Sequence, residues 1–311
     1  MSKKVVLLFS GQGAQKVGMG RDLCETFPVA KKLFEEADAS LGFSLSEIMF
    51  EGPIEELTKT SRCQPALYVH GLAVLAALKE KMPSLDVVGC AGLSLGEFTA
   101  HAAAGTFDFA TGLSVVHQRG SFMEQACEQT EGSMAAMIGG EESAVRELAI
   151  ECDVDVANFN APGQIVLSGS VSGIKAAVAG AKAKGIVKAV ELTVAGAYHS
   201  RLMDSAQAKL AAVLAETSVA MPRVPVLSNF QAAAVTSEAV IRETLTKQVT
   251  GSVRWSESMQ KLIQEGQTLF LELGPGGVLA GLMKRIDRSA KVITIEDVAS
   301  LEKAVAELTA E

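Results

Sequence analysis

The chain has 311 residues, 48% of them hydrophobic, and a formal net charge of −8. That length suits one large domain or a large domain carrying a smaller one, and the apolar content can bury a sizeable core. The acidic balance argues against a nucleic-acid protein or a membrane-surface binder, and no run is long enough to span a bilayer.

In chain order, Lys3-Lys4 followed by the apolar run 5–9 imitates the opening of a signal peptide. The run stops at Ser10-Gly11, too short for an h-region, so a soluble cytoplasmic protein is expected. Residues 5–9 instead read as a buried parallel-type strand, continuous in apolar residues without alternation. It ends in Ser10-Gly11-Gln12-Gly13, which starts like a dinucleotide fingerprint but has Lys16 where the third glycine belongs. Two readings stay open there: an ordinary tight turn, or a loop bringing a backbone N–H such as that of Gln12 to a ligand.

Segments 22–37, 46–50, 54–58 and 64–79 carry helical spacing, with Pro53 and Pro65 expected in first turns. The run 87–91 then leads into Gly92-Leu93-Ser94-Leu95-Gly96, the spacing of a nucleophile elbow, followed by an Ala-rich helix over 98–104. Flanking glycines allow a strand-to-helix turn tight enough to lift the serine hydroxyl off the sheet, with a helix N-terminus behind it. The next helix, 109–127, carries Arg119. A lone arginine is ordinarily a solvated one, but the flanking Val115, Val116, Phe122 and Met123 suggest a buried stripe.

The texture changes over 131–194. Strand 133–138, helix 141–150, strands 154–158 and 164–168, helix 172–183 and strand 187–192 give the order β-α-β-β-α-β of a ferredoxin-like module. Residues 160–163, Asn-Ala-Pro-Gly, supply its middle turn. The fold class read from this is α/β: a parallel-sheet, α/β-hydrolase-like core over 1–130 and 195–311, with a ferredoxin-like subdomain inserted at 131–194. A cleft between the two bodies is a natural ligand site.

Beyond the insert, a helix is expected over 201–218, a strand over 224–228, helices over 241–248 and 253–263, a buried strand over 268–273 ending in Gly274-Pro275-Gly276-Gly277, a helix from Val278, a strand over 292–295 and a C-terminal helix from Val298. Three strands thus end in glycine turns, which gathers loops at the carboxyl edge of one sheet, where α/β folds bind ligands.

Five cysteines, scattered and never in a CxxC pair, and four histidines without ligand spacing make a disulfide framework or metal site improbable, and no cofactor is expected. A serine on an elbow needs a base. His70 and His101 fall inside helices and His117 beside Arg119, whereas His199 lies where the insert rejoins the main body. It is the best candidate. No acidic residue stands out as a third member.

Six ordered motifs carry a resemblance: Gly11-Gln12-Gly13-x-Gln15, Gly92-Leu93-Ser94-Leu95-Gly96-Glu97, Gln118-Arg119-Gly120, Gly196-Ala197-Tyr198-His199-Ser200, Gln248 with Val253-Arg254-Trp255, and Gly274-Pro275-Gly276. Together they resemble malonyl-CoA:acyl carrier protein transacylases nearly end to end, the ferredoxin-like insert included. The resemblance implies Ser94 as nucleophile on malonyl-CoA and His199 as its base, oriented by the backbone carbonyl of Gln248 rather than by a carboxylate. It implies an oxyanion hole from the N–H groups of Gln12 and Leu95, and Arg119 as a bidentate clamp on the free malonyl carboxylate. Tyr198 beside the base resembles the bulky aromatic of malonyl-selective members, and Asn160 a position near the cleft. The implied partners are malonyl-CoA and acyl carrier protein, with no nucleic acid or membrane; the implied setting is fatty acid synthesis by a monomer. Two departures stand out: Leu93 replaces a frequent histidine, and Ser252 a frequent proline before Val253. Docking of an acidic carrier falls to Lys182, Lys184 and Lys188 or to Lys284, Arg285 and Arg288. The competing readings are a serine hydrolase of the patatin or lipase kind and a catalytically silent docking module.

Overall fold

The computed structural model describes residues 3–310. The chain is mixed α/β. Strand β1 (Lys4–Phe9) leads into helices α1 (Arg21–Thr26), α2 (Pro28–Leu41), α3 (Leu45–Glu51), α4 (Ile54–Thr58) and α5 (Thr60–Lys81), then β2 (Asp86–Gly92), α6 (Leu95–Ala103) and α7 (Phe109–Gln129). Next come β3 (Gly132–Ile138), α8 (Glu142–Glu151), β4 (Asp155–Ala161), β5 (Gln164–Ser170), α9 (Val171–Gly180) and β6 (Lys188–Glu191). The last part holds α10 (Asp204–Glu216), the two-residue strands β7 (Leu227–Ser228) and β8 (Ala233–Ala234), α11 (Glu238–Lys247), α12 (Trp255–Gln264), β9 (Leu269–Leu273), α13 (Val278–Ile286), β10 (Lys291–Ile295) and α14 (Val298–Thr309).

One sheet is parallel, in the order β10-β9-β1-β2. Along β1, Val5, Leu7 and Phe9 face one core, with Tyr68 and Phe98, while Val6 and Leu8 face another, with Trp255 and Phe270. This is the period-2 alternation of a strand buried on both faces, which explains why the sequence shows no polar alternation there. The register pairs Phe9 with both Gly92 and Leu273, so the three strands end level and their loops converge. The second sheet is antiparallel, in the order β4-β5-β3-β6, and packs on α8 and α9 through Leu148, Leu167 and Ile174.

Several boundaries differ from expectation for local reasons. The helix expected over 22–37 is two, because Phe27 is extended and caps α2 with Pro28 at its first position. Pro65 lies inside α5 rather than in its first turn, which begins at Thr60. The elbow helix starts at Leu95, immediately after Ser94. Asn160 and Ala161 extend β4, so the hairpin turn is Pro162-Gly163 alone, with Gly163 at φ 68°. The helix expected over 201–218 opens as a 3₁₀ turn at Arg201–Met203 and ends at Glu216. The strand expected over 224–228 pairs only at its end, although Val226 bridges Cys90 alongside β2.

Candidate active site

The elbow is built by close approach. A Cβ on Gly92 would fall 2.0 Å from Gly96 backbone, and one on Gly96 would fall 2.1 Å from the Phe9 carbonyl oxygen. Only glycine lets β2, α6 and β1 meet at that distance. Ser94 sits between them at φ 54°, ψ −107°, a conformation held by its surroundings rather than by preference. The turn after β1 lies against this elbow: the Leu93 N–H donates to the Phe9 carbonyl at 3.1 Å, and a Cβ on Gly11 would meet the Leu93 carbonyl at 2.5 Å. Gln12 and Leu95, 83 positions apart in the chain, are therefore carried by adjoining turns.

His199 faces Ser94 across the site, with its Nε2 2.8 Å from the serine Oγ. Its Nδ1 is 2.7 Å from the Gln248 carbonyl oxygen. A carbonyl only accepts, so Nδ1 carries the proton and Nε2 presents a lone pair to the serine hydroxyl. Burial, reinforced by the Arg119 cation, pushes the His199 pKa down to about 4. The ring is neutral and ready to accept.

Arg119 is buried, 1% exposed, against the ordinary expectation for a helical arginine. Its Nη1 donates to Gln64 Oε1 at 2.6 Å; its Nη2 donates to Gln248 Oε1 at 2.7 Å and to Ser94 Oγ at 3.2 Å. The guanidinium lies over the Phe98 ring, 5.1 Å from its centroid. Its Nε has no hydrogen-bond partner among the described residues. Burial lowers its pKa to about 10, so it remains a cation. A buried cation held by neutral acceptors and touching a serine hydroxyl is a site for an anion.

Three residues of this network were not singled out from sequence. Gln64 on α5 holds Arg119. Asn229, after β7, accepts from the Ser94 N–H at 2.6 Å and donates to the Gly92 carbonyl at 2.7 Å, pinning the elbow from outside. Glu97 on α6 is fully buried and accepts from Gln248 Nε2 at 2.9 Å and the Asn229 N–H at 3.1 Å. Gln248 is the hub: its carbonyl oxygen takes His199, its Oε1 takes Arg119, and its Nε2 reaches Ser94 O at 3.0 Å as well as Glu97. The one available signal for Glu97 is a charged residue at the end of the elbow motif, immediately before the Ala-rich run.

Ser94, His199 and Gln64 open onto a cleft of about 470 Å³ between the two sheets, with Leu93, Met134, Val166 and Leu282 on its walls; Arg119, Gln248, Glu97 and Asn229 lie buried behind them. Tyr198 closes one side, its hydroxyl 2.6 Å from Thr60 Oγ1 and 3.4 Å from Gln12 Nε2. Asn160 lines the opposite side from β4, its Oδ1 unpartnered. A groove of about 960 Å³ between the β4–β5 hairpin and α12 does not reach Ser94. Ser252 does not loosen the Gln248 loop: its Oγ donates to the Val156 carbonyl at 2.5 Å, and Val253 N–H to the Ala157 carbonyl at 2.8 Å. Among the described residues no cluster of His, Cys, Asp and Glu is arranged to hold a metal.

Fold and site together are those of an acyltransferase, and residues 6–308 match the acyl transferase domain family. The chain is 43% identical to the malonyl CoA-acyl carrier protein transacylase of Bacillus subtilis strain 168, over 99% of this chain and 98% of that one. It superposes with a TM-score of 0.96 and 32% identity on the malonyl CoA-acyl carrier protein transacylase (FabD) of Coxiella burnetii, covering 100% and 99% of the two chains. A malonyl-transacylase solved with its type II PKS acyl-carrier protein, PlMCAT:AntF, gives 0.93 and 36% over 98% and 100%. The chain belongs to the malonyl CoA-acyl carrier protein transacylase family.

Proposed function

We propose that this enzyme moves the malonyl group from malonyl-CoA to the phosphopantetheine thiol of acyl carrier protein in two half-reactions through a malonyl ester of Ser94. The observation that carries this reading is that one hydroxyl oxygen, Ser94 Oγ, lies 2.8 Å from the His199 lone pair and 3.2 Å from the Arg119 guanidinium.

His199 takes the serine proton as Oγ attacks the thioester carbonyl, then delivers it to the departing CoA sulfur. In the second half-reaction it takes the proton of the carrier thiol, which attacks the ester and frees Ser94. The N–H groups of Gln12 and Leu95 receive the oxyanion at each tetrahedral stage, each worth roughly 3 kcal/mol of barrier. Arg119 holds the malonyl carboxylate, whose burial unpaired would cost several kcal/mol. Acetyl-CoA brings no such charge. Tyr198, tethered by Thr60, fills the space a methyl branch would need, and Asn160 lies in reach of the substrate arm. Gln248 orients the base in place of a third acidic member.

The parallel-sheet part, residues 1–130 and 195–311, is read as an α/β-hydrolase-like core and 131–194 as its ferredoxin-like insert. The setting proposed is fatty acid synthesis. Carrier docking falls to α13. Its first residue, Val278, and Leu282 line the cleft mouth, and Lys284, Arg285 and Arg288 stand exposed beyond them. Lys184 of the alternative cluster is paired with Glu151 at 2.6 Å and Glu147 at 3.7 Å. Among the described residues Lys284 and Arg285 on α13 and Arg288 just beyond it make no ion pair, so they are free to meet an acidic carrier.

The test is to mix enzyme, malonyl-CoA and holo acyl carrier protein and to measure malonyl-carrier against free malonate. Transfer is expected to dominate. Dominant hydrolysis would assign the elbow to a hydrolase.

A further inference from the structure

The mechanism leaves the buried carboxyl group nearest Arg119 without a task. Glu97 is 0% exposed; its Oε2 receives Gln248 Nε2 and the Asn229 N–H, and its Oε1 has no hydrogen-bond partner among the described residues. As the third residue after the helix-capping position of Ser94, a glutamate would ordinarily turn back to the capping residue's own N–H. Here Asn229 Oδ1 already occupies that N–H, and Glu97 turns inward instead.

Its connection to Arg119 runs through one amide. Gln248 Oε1 accepts from the Arg119 cation, and Gln248 Nε2 donates to the Glu97 carboxylate. Cation, amide dipole and anion are aligned, each favouring the next. The charged group facing Glu97 is Arg119 from α7; the others against it, Asn229, Gln248 and Ser228, are neutral. With His199 neutral, the substrate-free site holds one buried cation and one buried carboxyl group. A malonyl carboxylate placed on Arg119 adds a second anion to a site that has only one positive charge.

We propose that Glu97 is the counter-charge which the substrate carboxylate displaces: ionised beside Arg119 in the free enzyme, it takes one proton from solvent when a malonyl group is seated, restoring a neutral site. This rests on Arg119 being the carboxylate clamp. The unpartnered Oε1 is where the proton resides. Burial already draws the free-enzyme Glu97 up to about 7, against the opposing effects of Asn229, Gln248 and Arg119, so a further anion nearby completes protonation near neutral pH. Glu97 is a positioning residue and touches no reacting atom. Ionised, it holds the Gln248 amide toward Arg119; protonated, it leaves the guanidinium to the substrate.

The malonyl exchange itself, serine hydroxyl plus thioester to ester plus thiol, is proton-neutral below the thiol pKa, so any uptake reports the site. Holoenzyme is mixed with malonyl-CoA at pH 7.5–8 in two buffers of different ionisation enthalpy, and heat is compared with ester formed by intact mass. An uptake of roughly half a proton or more per malonyl ester is expected. Glu97→Gln, which keeps the shape and the acceptor for Gln248, should form the ester with no uptake. The KM for malonyl-CoA should rise up to about tenfold per pH unit above pH 7 in the wild type and stay flat in E97Q. Ester formed without uptake in the wild type, or equal uptake in E97Q, overturns the proposal. If E97Q does not fold, the wild-type stoichiometry and KM profile decide it alone. Absence of the ester, by contrast, faults the acyl-transfer reading and not the exchange.

Discussion

His199 Nδ1 lies 2.7 Å from the backbone carbonyl oxygen of Gln248, a contact at the ring nitrogen where a hydrolase triad carries its aspartate. It fixes the tautomer while adding no charge. A carboxylate there would favour an imidazolium strongly; the carbonyl raises the ring's pKa only slightly, and burial with the Arg119 cation outweighs it, leaving a pKa near 4. Because the carbonyl belongs to the backbone, Gln248→Ala keeps it. That variant should retain a working base but lose the contacts of the side chain to Arg119, Ser94 and Glu97. The expectation is a KM for malonyl-CoA raised about tenfold or more with a smaller change in kcat. His199→Ala should instead cost roughly 10²–10⁴ in kcat for both half-reactions. Steady-state kinetics on the two variants separates the cases.

Arg119→Ala removes the one cation of the site. Malonyl-CoA should then lose roughly 10²-fold or more in kcat/KM, while acetyl-CoA is relatively favoured. Arg119→Lys should recover little, because an ammonium cannot reach Gln64, Gln248 and the substrate together as the planar fork does. Competition between the two thioesters measures this, and unchanged selectivity in R119A would remove the clamp assignment.

Gly96→Ala puts a methyl 2.1 Å from the Phe9 carbonyl oxygen and 2.8 Å from its carbon, both backbone atoms of a central strand. Neither can give way without parting β1 from α6. A loss of at least about 3 kcal/mol in urea unfolding is expected, with activity lost in the fraction that still folds.

The buried histidines set the acid behaviour. His70, His101 and His199 have folded pKa values near 4, 3 and 4, below the usual value of 6.5. The unfolded chain therefore binds more protons between about pH 4 and 6.5, and stability falls as pH falls through that window. Glu97, drawn up to about 7 from 4.5, acts in the opposite sense over pH 7 to 4.5. Glu272, raised by burial, acts with Glu97, and half-buried His117, lowered by burial, acts with the other histidines, so four histidines against two glutamates leave about two groups, or roughly 3 kcal/mol lost per pH unit below 6. Urea titrations at pH 6.5 and pH 5.5 check the slope. The malonylation rate should keep its base down to the onset of unfolding, with no inflection at 6.5.

Reversing Lys284 and Arg285 to Glu should raise the KM for carrier protein several-fold and leave the malonyl-CoA half-reaction unchanged. The same reversal at Lys182 and Lys188 should have little effect.

The parts of this site legible in sequence were those with local signatures. The elbow declares itself by two glycines at a fixed spacing between a strand and a helix, and the loop after β1 by Gly11 and Gly13. Arg119 was ambiguous because its burial depends on α5 and α6 packing around it, which no window around residue 119 contains. Gln64 and Asn229 come from elements distant in the chain, and an amide in a sequence carries no mark of what it will bond; Gln248 is reached only through the family resemblance, and for its carbonyl rather than its side chain. Asn160 reads as a turn residue because Pro162-Gly163 follows it, yet β4 runs three residues further, to Ala161, to pair with β5. Pro65 read as a helix start because proline is well placed there, but α5 extends back to Thr60 over a proline in its second turn.

The most direct test of the account is the intact mass of the enzyme after mixing with malonyl-CoA in the absence of carrier protein, followed by peptide mapping. The account predicts a gain of one malonyl group on the peptide carrying Ser94, absent in Ser94→Ala and discharged by holo acyl carrier protein. An unmodified enzyme that nonetheless transfers malonate to the carrier, or an ester on any other residue, would contradict it.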